Sequence, residues 1–308
     1  MKHLLYKLSF IAWYVCSLLP FRLFYCISDA MYYILFYAIR YRRKVIYNNL
    51  TASFPEKTPA EIDQIARKFY AFFCDYMVET IKYFSISEQN IRRRIRFEGI
   101  EAARQDIQKG QSVSLFLGHY CNWEWVSSLG IHFDCQCGQI YHPLENPYFD
   151  KLFLYMRSRF KVQSIAKDDT FLVIGGWEKK GIHSVVGYIA DQAPGYASTH
   201  YWTNFLNHDT PVFTGAERIA KILNTTAYYI DIERPKRGYY LCRFVKITDS
   251  IEKQPIFYVT EQYFRLLEKS IQRAPQYWLW SHNRWKRTRE EFNRLYSEEE
   301  RKKRLSRL

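Results

Sequence analysis

The sequence predicts an α/β protein: a mixed central sheet flanked by helices, behind an N-terminal helical segment that associates with a membrane. Three observations predict it. From residue 97 to about 247, short apolar runs alternate with amphipathic stretches, as strands and helices do in α/β domains. A chain of 308 residues with 48% hydrophobic content can bury a sizeable core. The first fifty residues are apolar, aromatic and basic. The expected division is therefore residues 1–50 as the anchoring helical segment, 51–290 as the α/β domain and 291–308 as a basic tail.

The uncharged run Leu8 to Phe21 is 14 residues long, bracketed by Lys7 and Arg22. That is short of the roughly 18 apolar residues that mark a transmembrane helix. A second patch, Ala30 to Ile39, is followed by Arg40, Arg42, Arg43 and Lys44. An interfacial anchor fits this pattern, with apolar side chains in the acyl boundary and Lys and Arg at anionic headgroups. The alternative is a buried helix pair that completes the core. Thr58 then caps a helix, with Pro59 at its first position and Glu61 as capping-box partner. Its apolar face runs through Ile62, Ala66, Phe69, Phe73 and Met77, facing the core or an acyl groove.

Val113 to Leu117 reads as a buried strand, and Cys135 to Tyr141 as the next. Asn146-Pro147 opens a helix towards Phe160, and Asp168 or Asp169 caps another that ends at Gly181. Ser184 to Ile189 is a strand, Pro211 to Asn224 an amphipathic helix, and Ala227–Ile232 and Tyr239–Ile247 two strands joined by a Pro-Lys-Arg-Gly turn. A helix from about Pro255 to Gln272 and an aromatic segment complete the fold. Trp278, Trp280 and Trp285, with His282, Arg284 and Lys286, suit an interfacial belt or a packed end-piece, and no nucleic-acid motif accompanies them.

The candidate site lies at Ser112 to Trp125. His119 follows the strand and Gly118, and Glu124 stands five residues on. Residues five apart diverge by roughly 140° on a straight helix of about 3.6 residues per turn. The two meet only if His119 occupies the strand-to-helix turn and Glu124 the first helical turn, with Asn122 as N-cap. His119 would then be a general base and Glu124 the carboxylate on its other ring nitrogen. The alternative is a structural histidine and a solvated glutamate. Backbone N–H groups from His119 through Tyr120 to Asn122 offer an oxyanion site. Asp191 sits just past its own strand, where α/β sheets place ligands, and can lie near His119 despite 72 intervening residues.

Gly118-His-Tyr-x-Asn-Trp-Glu-Trp125 resembles the histidine-acid motif of the late acyltransferases of lipid A biosynthesis, within the lysophospholipid acyltransferase group. Tyr141 to Asp150 (YHPLENPYFD), Ala190 to Pro194 (ADQAP) and Pro275 to Lys286 (PQYWLWSHNRWK) agree with it in order. The resemblance implies acyl transfer from acyl-carrier protein to a lipid A precursor at the cytoplasmic face of the inner membrane. It also implies that Asp191 and Gln192, with an upstream cation, hold the acceptor's headgroup. Lys167 is the first candidate for that cation, with Arg157 and Arg159 as rivals. Two residues depart from the pattern: Cys121 and Asn207 stand where glycine is common.

Composition agrees. Aromatics reach 18%, with 26 Tyr and 22 Phe, and the net charge of +14 favours anionic partners, here acidic lipid and an acidic carrier. Seven cysteines without framework spacing fit a reducing compartment. Cys135 and Cys137 form no Cys-x2-Cys pair, and no His-Glu-x2-His occurs, so neither a metal nor another cofactor is expected. The reading is a membrane-associated O-acyltransferase. Its alternatives are an enzyme for another lyso-lipid, a lysophospholipid or amino-acid lipid, and a non-catalytic membrane-binding protein. The Arg301-Lys-Lys-Arg304 cluster suits anionic lipid or acyl-carrier protein, or else a solvated helical end.

Overall fold

Val113–Leu117 forms β2, buried at every position in the computed structural model, which describes residues 2–305 and side chains from Lys7 onward. A strand covered on both faces has no polar side to present, which is why it reads as an unbroken apolar run. It lies in the middle of a seven-stranded sheet with β1 (Ile95–Glu98), β3 (Gln136–Tyr141), β4 (Val162–Ala166), β5 (Ser184–Ile189), β8 (Thr226–Lys236) and β9 (Tyr239–Thr248). The order is β1-β9-β8-β2-β5-β3-β4. Only the β8–β9 pairing is antiparallel. The sheet is therefore mixed, as the sequence predicts.

Helices α1 (Lys2–Ser17), α2 (Phe21–Tyr33) and α3 (Arg43–Ser53) precede α4 (Pro59–Lys82), whose capping box forms at Thr58 and Glu61. Asp75 and Glu79 are buried on α4, and burial raises the Glu79 pKa. Such charges need partners. Ser28 donates to Asp75 at 2.6 Å and Tyr25 to Glu79 at 3.0 Å, while Arg234 of β8 pairs with Asp75 at 2.6 Å. Phe24, Phe36, Ile46 and Leu50 join the buried core. The same N-terminal segment leaves Leu8, Ile11, Val15, Leu18, Ile34 and Ile39 exposed. Among the described residues no single helix is long and apolar enough to cross a bilayer. Residues 7–17 and 21–38 pass that test only as a pair, bent by 109°.

Helices α5 (Glu88–Arg94), α6 (Ile100–Gln108), α7 (Trp123–Val126), α8 (Pro147–Ser158), α9 (Thr170–Lys179), α10 (Gly215–Ile222) and α11 (Tyr258–Arg273) follow, with α12 (Arg289–Leu295) and α13 (Glu298–Leu305) at the end. One expectation is corrected. Pro211 and Val212 do not begin a helix; they end β7 (His208–Val212), which pairs with β6 (Tyr201–Phe205) in a separate hairpin. A proline is tolerated there because a two-stranded ribbon has a free edge. The hairpin turns at Leu206 and Asn207, with φ of 50° and 65°. Two consecutive positive φ values define the turn type that favours Asn-Gly, so the glycine-poor sequence concealed the hairpin.

The aromatic C-terminal segment is a packed end-piece and not an exposed belt. Trp278, Trp280 and Arg284 are buried, and Asn49 of α3 donates 2.9 Å hydrogen bonds to the carbonyls of Trp280 and His282. Close packing also surrounds the turn after α7. A Cβ on Gly130 would lie 2.3 Å from the Phe160 carbonyl oxygen, which belongs to backbone and cannot swing away. Gly130→Ala should therefore cost about 1–3 kcal/mol, the range for overpacking, read as a lowered thermal midpoint. An unchanged midpoint would contradict this packing.

Candidate active site

The sheet register builds the site. Parallel neighbours β2 and β5 pair Phe116 with Tyr188 and Leu117 with Ile189. Continuing that register by two residues sets His119 beside Asp191, both at the carboxyl ends of their strands, where α/β sheets bind ligands. His119 Nδ1 lies 2.6 Å from Asp191 Oδ1, and the His119 backbone N–H donates to Oδ2 at 3.0 Å. The Trp278 indole N–H donates to the same Oδ2 at 2.8 Å. Gly118 makes room for this meeting, since a Cβ there would lie 2.6 Å from Leu267 and 3.4 Å from Asp191 Oδ2.

Burial alone would raise the Asp191 pKa. The opposing charge on a protonated His119 and the hydrogen bonds from His119 and Trp278 outweigh it and hold the carboxyl down at about 2. An ionised carboxylate can only accept, so His119 Nδ1 carries a proton, and in the neutral ring Nε2 is the nitrogen left to accept one. The imidazole is 19% exposed, whereas Asp191 is 2% exposed. The imidazole thus faces solvent and its carboxylate does not. Gln192 places its amide nitrogen 3.3 Å from Nε2. Trp123 packs edge-on against the imidazole at 5.1 Å and stacks on Tyr76 of α4 at 4.2 Å.

The expected His119–Glu124 contact does not form. Glu124 turns away and takes Arg157 of α8 in a bidentate pair, 2.8 and 2.5 Å long. The five-residue spacing puts Glu124 on α7, past the strand end, while Asp191 arrives on the neighbouring strand in register. Asp191 and Gln192 were expected to hold a headgroup together. Instead both Asp191 oxygens are engaged by His119 and Trp278, and only Gln192 remains available. Of the three candidate cations, Arg157 reaches the motif through Glu124. Lys167 is exposed at the start of the short turn Lys167–Asp169, and Arg159 donates to the carbonyls of Tyr83 and Ile86.

Tyr120 and Asn122 support the loop. Tyr120 is buried and donates to the carbonyls of Ser270 and Ala274 at 2.8 and 3.1 Å. Asn122 caps α7 by accepting from the Trp125 N–H at 3.2 Å, and its amide donates to Glu79 at 2.7 Å. The expected oxyanion donors are depleted: the His119 N–H serves Asp191 and the Cys121 N–H donates to the Tyr277 carbonyl at 2.9 Å. Three residues the motif reading left without a role in the site also act here. Besides Trp278, His282 accepts from the Ala193 N–H at 3.2 Å, and burial pushes its pKa down to about 4. Arg284 is fully buried, with its pKa lowered to about 10 by burial and partly restored by Asp191. The sequence signal for all three was the density of Trp, His and Arg in an otherwise apolar segment.

Both departures from the motif pattern have a backbone reason. Cys121 and Asn207 adopt φ of 52° and 65°, the left-handed region that favours glycine. The Cys121 thiol is fully buried, burial raises its pKa well above the ordinary value, and Sγ faces the Ile232 carbonyl at 3.7 Å. Such a thiol is a poor nucleophile.

The imidazole is partly open to solvent on a buried carboxylate, and among the described residues no nucleophilic side chain is hydrogen-bonded to it. The model of the bacterial lipid A biosynthesis acyltransferase family matches residues 1–287. The chain belongs to that family, and it is an acyltransferase. No curated protein matches it.

Cys121→Gly should relieve about 1–2 kcal/mol of left-handed strain and lose about 1 kcal/mol of burial. Stability should stay within about 1 kcal/mol of wild type and transfer activity should persist. Thermal unfolding and acyl-transfer assays check both. Abolished activity in a folded Cys121→Gly protein would assign the thiol a chemical role.

Proposed function

We propose that this acyltransferase moves a fatty acyl chain from acyl-carrier protein to a hydroxyl of a lipid A precursor, at the cytoplasmic face of the inner membrane. His119 is the general base and Asp191 its orienting carboxylate. The observation that carries the reading is the 2.6 Å His119–Asp191 contact, which leaves Nε2 as the basic nitrogen of a partly exposed ring. The acceptor hydroxyl gives its proton to Nε2 as its oxygen attacks the thioester carbonyl. The tetrahedral intermediate then expels the carrier's thiolate, which takes that proton back from the imidazolium. A thiol of pKa about 8.5 needs little help to leave. Gln192 moves aside or donates to the incoming hydroxyl.

Beside the pair, Phe72, Phe73, Tyr76, Trp123 and Trp278 pack as a closed aromatic cluster between α4 and the end-piece, with no open space for a chain between the rings. Trp123 and Trp278 of that cluster touch the His119–Asp191 pair, so its packing fixes the position of the pair. Support for a membrane surface comes from the exposed apolar residues of α1 and α2. They continue onto α8 through the ring contacts Phe10–Tyr155 and Trp13–Phe149.

The Glu124–Arg157 pair shapes the site and does not transfer protons. His119→Ala and Asp191→Asn should each lower turnover by roughly 10²–10⁴-fold, and Asp191→Asn should also lower the thermal midpoint, because its amide NH2 faces a donor where an oxygen accepted. Near-wild-type turnover in either folded variant would sink the mechanism. Glu124→Gln leaves Arg157 without its anion, a change worth about 3–5 kcal/mol for a buried pair, less here because Arg157 is 21% exposed. Combined Glu124→Gln and Arg157→Met should recover most of that stability. A double variant no more stable than Glu124→Gln alone would contradict the pairing.

A further inference from the structure

When an acceptor oxygen attacks the thioester carbonyl, negative charge develops on the carbonyl oxygen, and a donor must meet it there. The donors of the turn after β2 are largely committed elsewhere. The His119 N–H serves Asp191 at 3.0 Å, and the Cys121 N–H serves the Tyr277 carbonyl at 2.9 Å. Beyond β5 the Ala193 N–H donates to His282 Nε2 at 3.2 Å, and the Trp278 indole is spent on Asp191. These groups hold the fold together around the imidazole and leave the oxyanion to another donor.

Gln192 differs from all of them. Among the described residues its side-chain amide is hydrogen-bonded to His119 alone, with the amide nitrogen 3.3 Å from Nε2. Because Nδ1 carries the ring proton, Nε2 accepts, and the amide presents an N–H to it. The contact is longer than a good hydrogen bond, roughly 2.7–3.2 Å, so an incoming hydroxyl displaces it at little cost. The side chain is half-buried, so substrate can reach it. Its backbone, in contrast, is anchored on both sides. Asp191 before it accepts three hydrogen bonds. Ala193 after it is held through its N–H by His282 and through its carbonyl by Arg287 at 3.5 Å. A fixed backbone carrying a displaceable amide is thus set beside the base.

We propose that Gln192 is a further catalytic residue, whose amide N–H donates to the oxyanion of the tetrahedral intermediate. This rests on the reading of His119 as the base. The acceptor hydroxyl takes the amide's place at Nε2 and gives its proton there as its oxygen bonds to the thioester carbon. The carbonyl π pair becomes the oxyanion. Both oxygens sit on one carbon, so an amide displaced from Nε2 by the first is within reach of the second. As the C=O bond reforms, the C–S bond breaks, the thiolate takes the proton from Nε2, and the amide returns to the neutral ring. An amide carries two N–H donors and no charge, so it stabilises the oxyanion without adding a charge beside the imidazolium.

Steady-state kinetics of the full-length enzyme in detergent test this with two reactions of one donor, an acyl-carrier protein bearing the chain that the wild type turns over fastest. The first is transfer to a lipid A precursor. The second is hydrolysis of the same thioester by water with no acceptor present. Both pass through an oxyanion on the same carbonyl. Gln192→Met keeps the length of the side chain and removes the N–H. It should lower kcat of both reactions by roughly 10²–10³-fold, the cost of one oxyanion donor, and change the acceptor KM less than about threefold. Gln192→Glu keeps the shape and loses the donor, so it should fall as far. Its anion beside the imidazole should also move the acid limb of the pH profile upward. His119→Ala, measured alongside, should slow both reactions. Loss confined to transfer, with a raised acceptor KM and full hydrolysis, would make Gln192 a headgroup contact and overturn the proposal. Full activity of Gln192→Met beside an inactive His119→Ala would overturn the role of the amide and leave the base standing. Full activity of both variants would overturn the base as well.

Discussion

The buried carboxylate of Asp191 is the constraint around which this molecule is arranged. An anion with 2% exposure is tolerated only where donors replace water. Three do so: the His119 ring, the His119 backbone and the Trp278 indole. Each donor is fixed by other parts of the fold. His119 is held by the end of β2, and Trp278 by its bridge to Tyr120. The loop after Asp191 is held by His282. Because the folded pKa of Asp191 lies below the ordinary carboxylate range, its contribution to stability is present above that range and is lost as pH falls towards about 2.

The acidic residue of the His119 motif joins helices to one another. Glu124 and Arg157 join α7 to α8, and Asn122 joins the start of α7 to Glu79 on α4. Glu79 also accepts from Tyr25 of α2 and Tyr240 of β9. One buried carboxylate therefore ties the N-terminal helices, the antiparallel part of the sheet and the turn beside the base into a single body. The apolar outer face of α1 and α2 is held at a set orientation to His119 by these contacts, which suits an enzyme whose acceptor is a lipid.

Much of this was legible from the residues. Strands β2 and β5 are read correctly from their apolar runs, and the caps at Thr58, Asn122 and Asn146 from local chemistry. Asp191 could be suspected because it stands two residues beyond its strand, as His119 stands beyond β2. What was not legible was the register between strands distant in sequence, which decides which carboxylate reaches the imidazole. Proximity in sequence favoured Glu124, and pairing in space favoured Asp191. The Leu206-Asn207 hairpin was hidden because its left-handed positions carry no glycine. The role of Trp278 was hidden because an indole N–H that bonds a buried carboxylate looks, in sequence, like any packed tryptophan.

The most direct measurement is nitrogen-15 NMR of the labelled histidines in the detergent-solubilised protein, with His119 assigned by substitution. If Asp191 orients the base, the His119 Nδ1 proton resonates in the strongly hydrogen-bonded region. It loses that signature in Asp191→Asn and keeps it in Glu124→Gln. A signal that survives Asp191→Asn and disappears in Glu124→Gln would contradict the assignment.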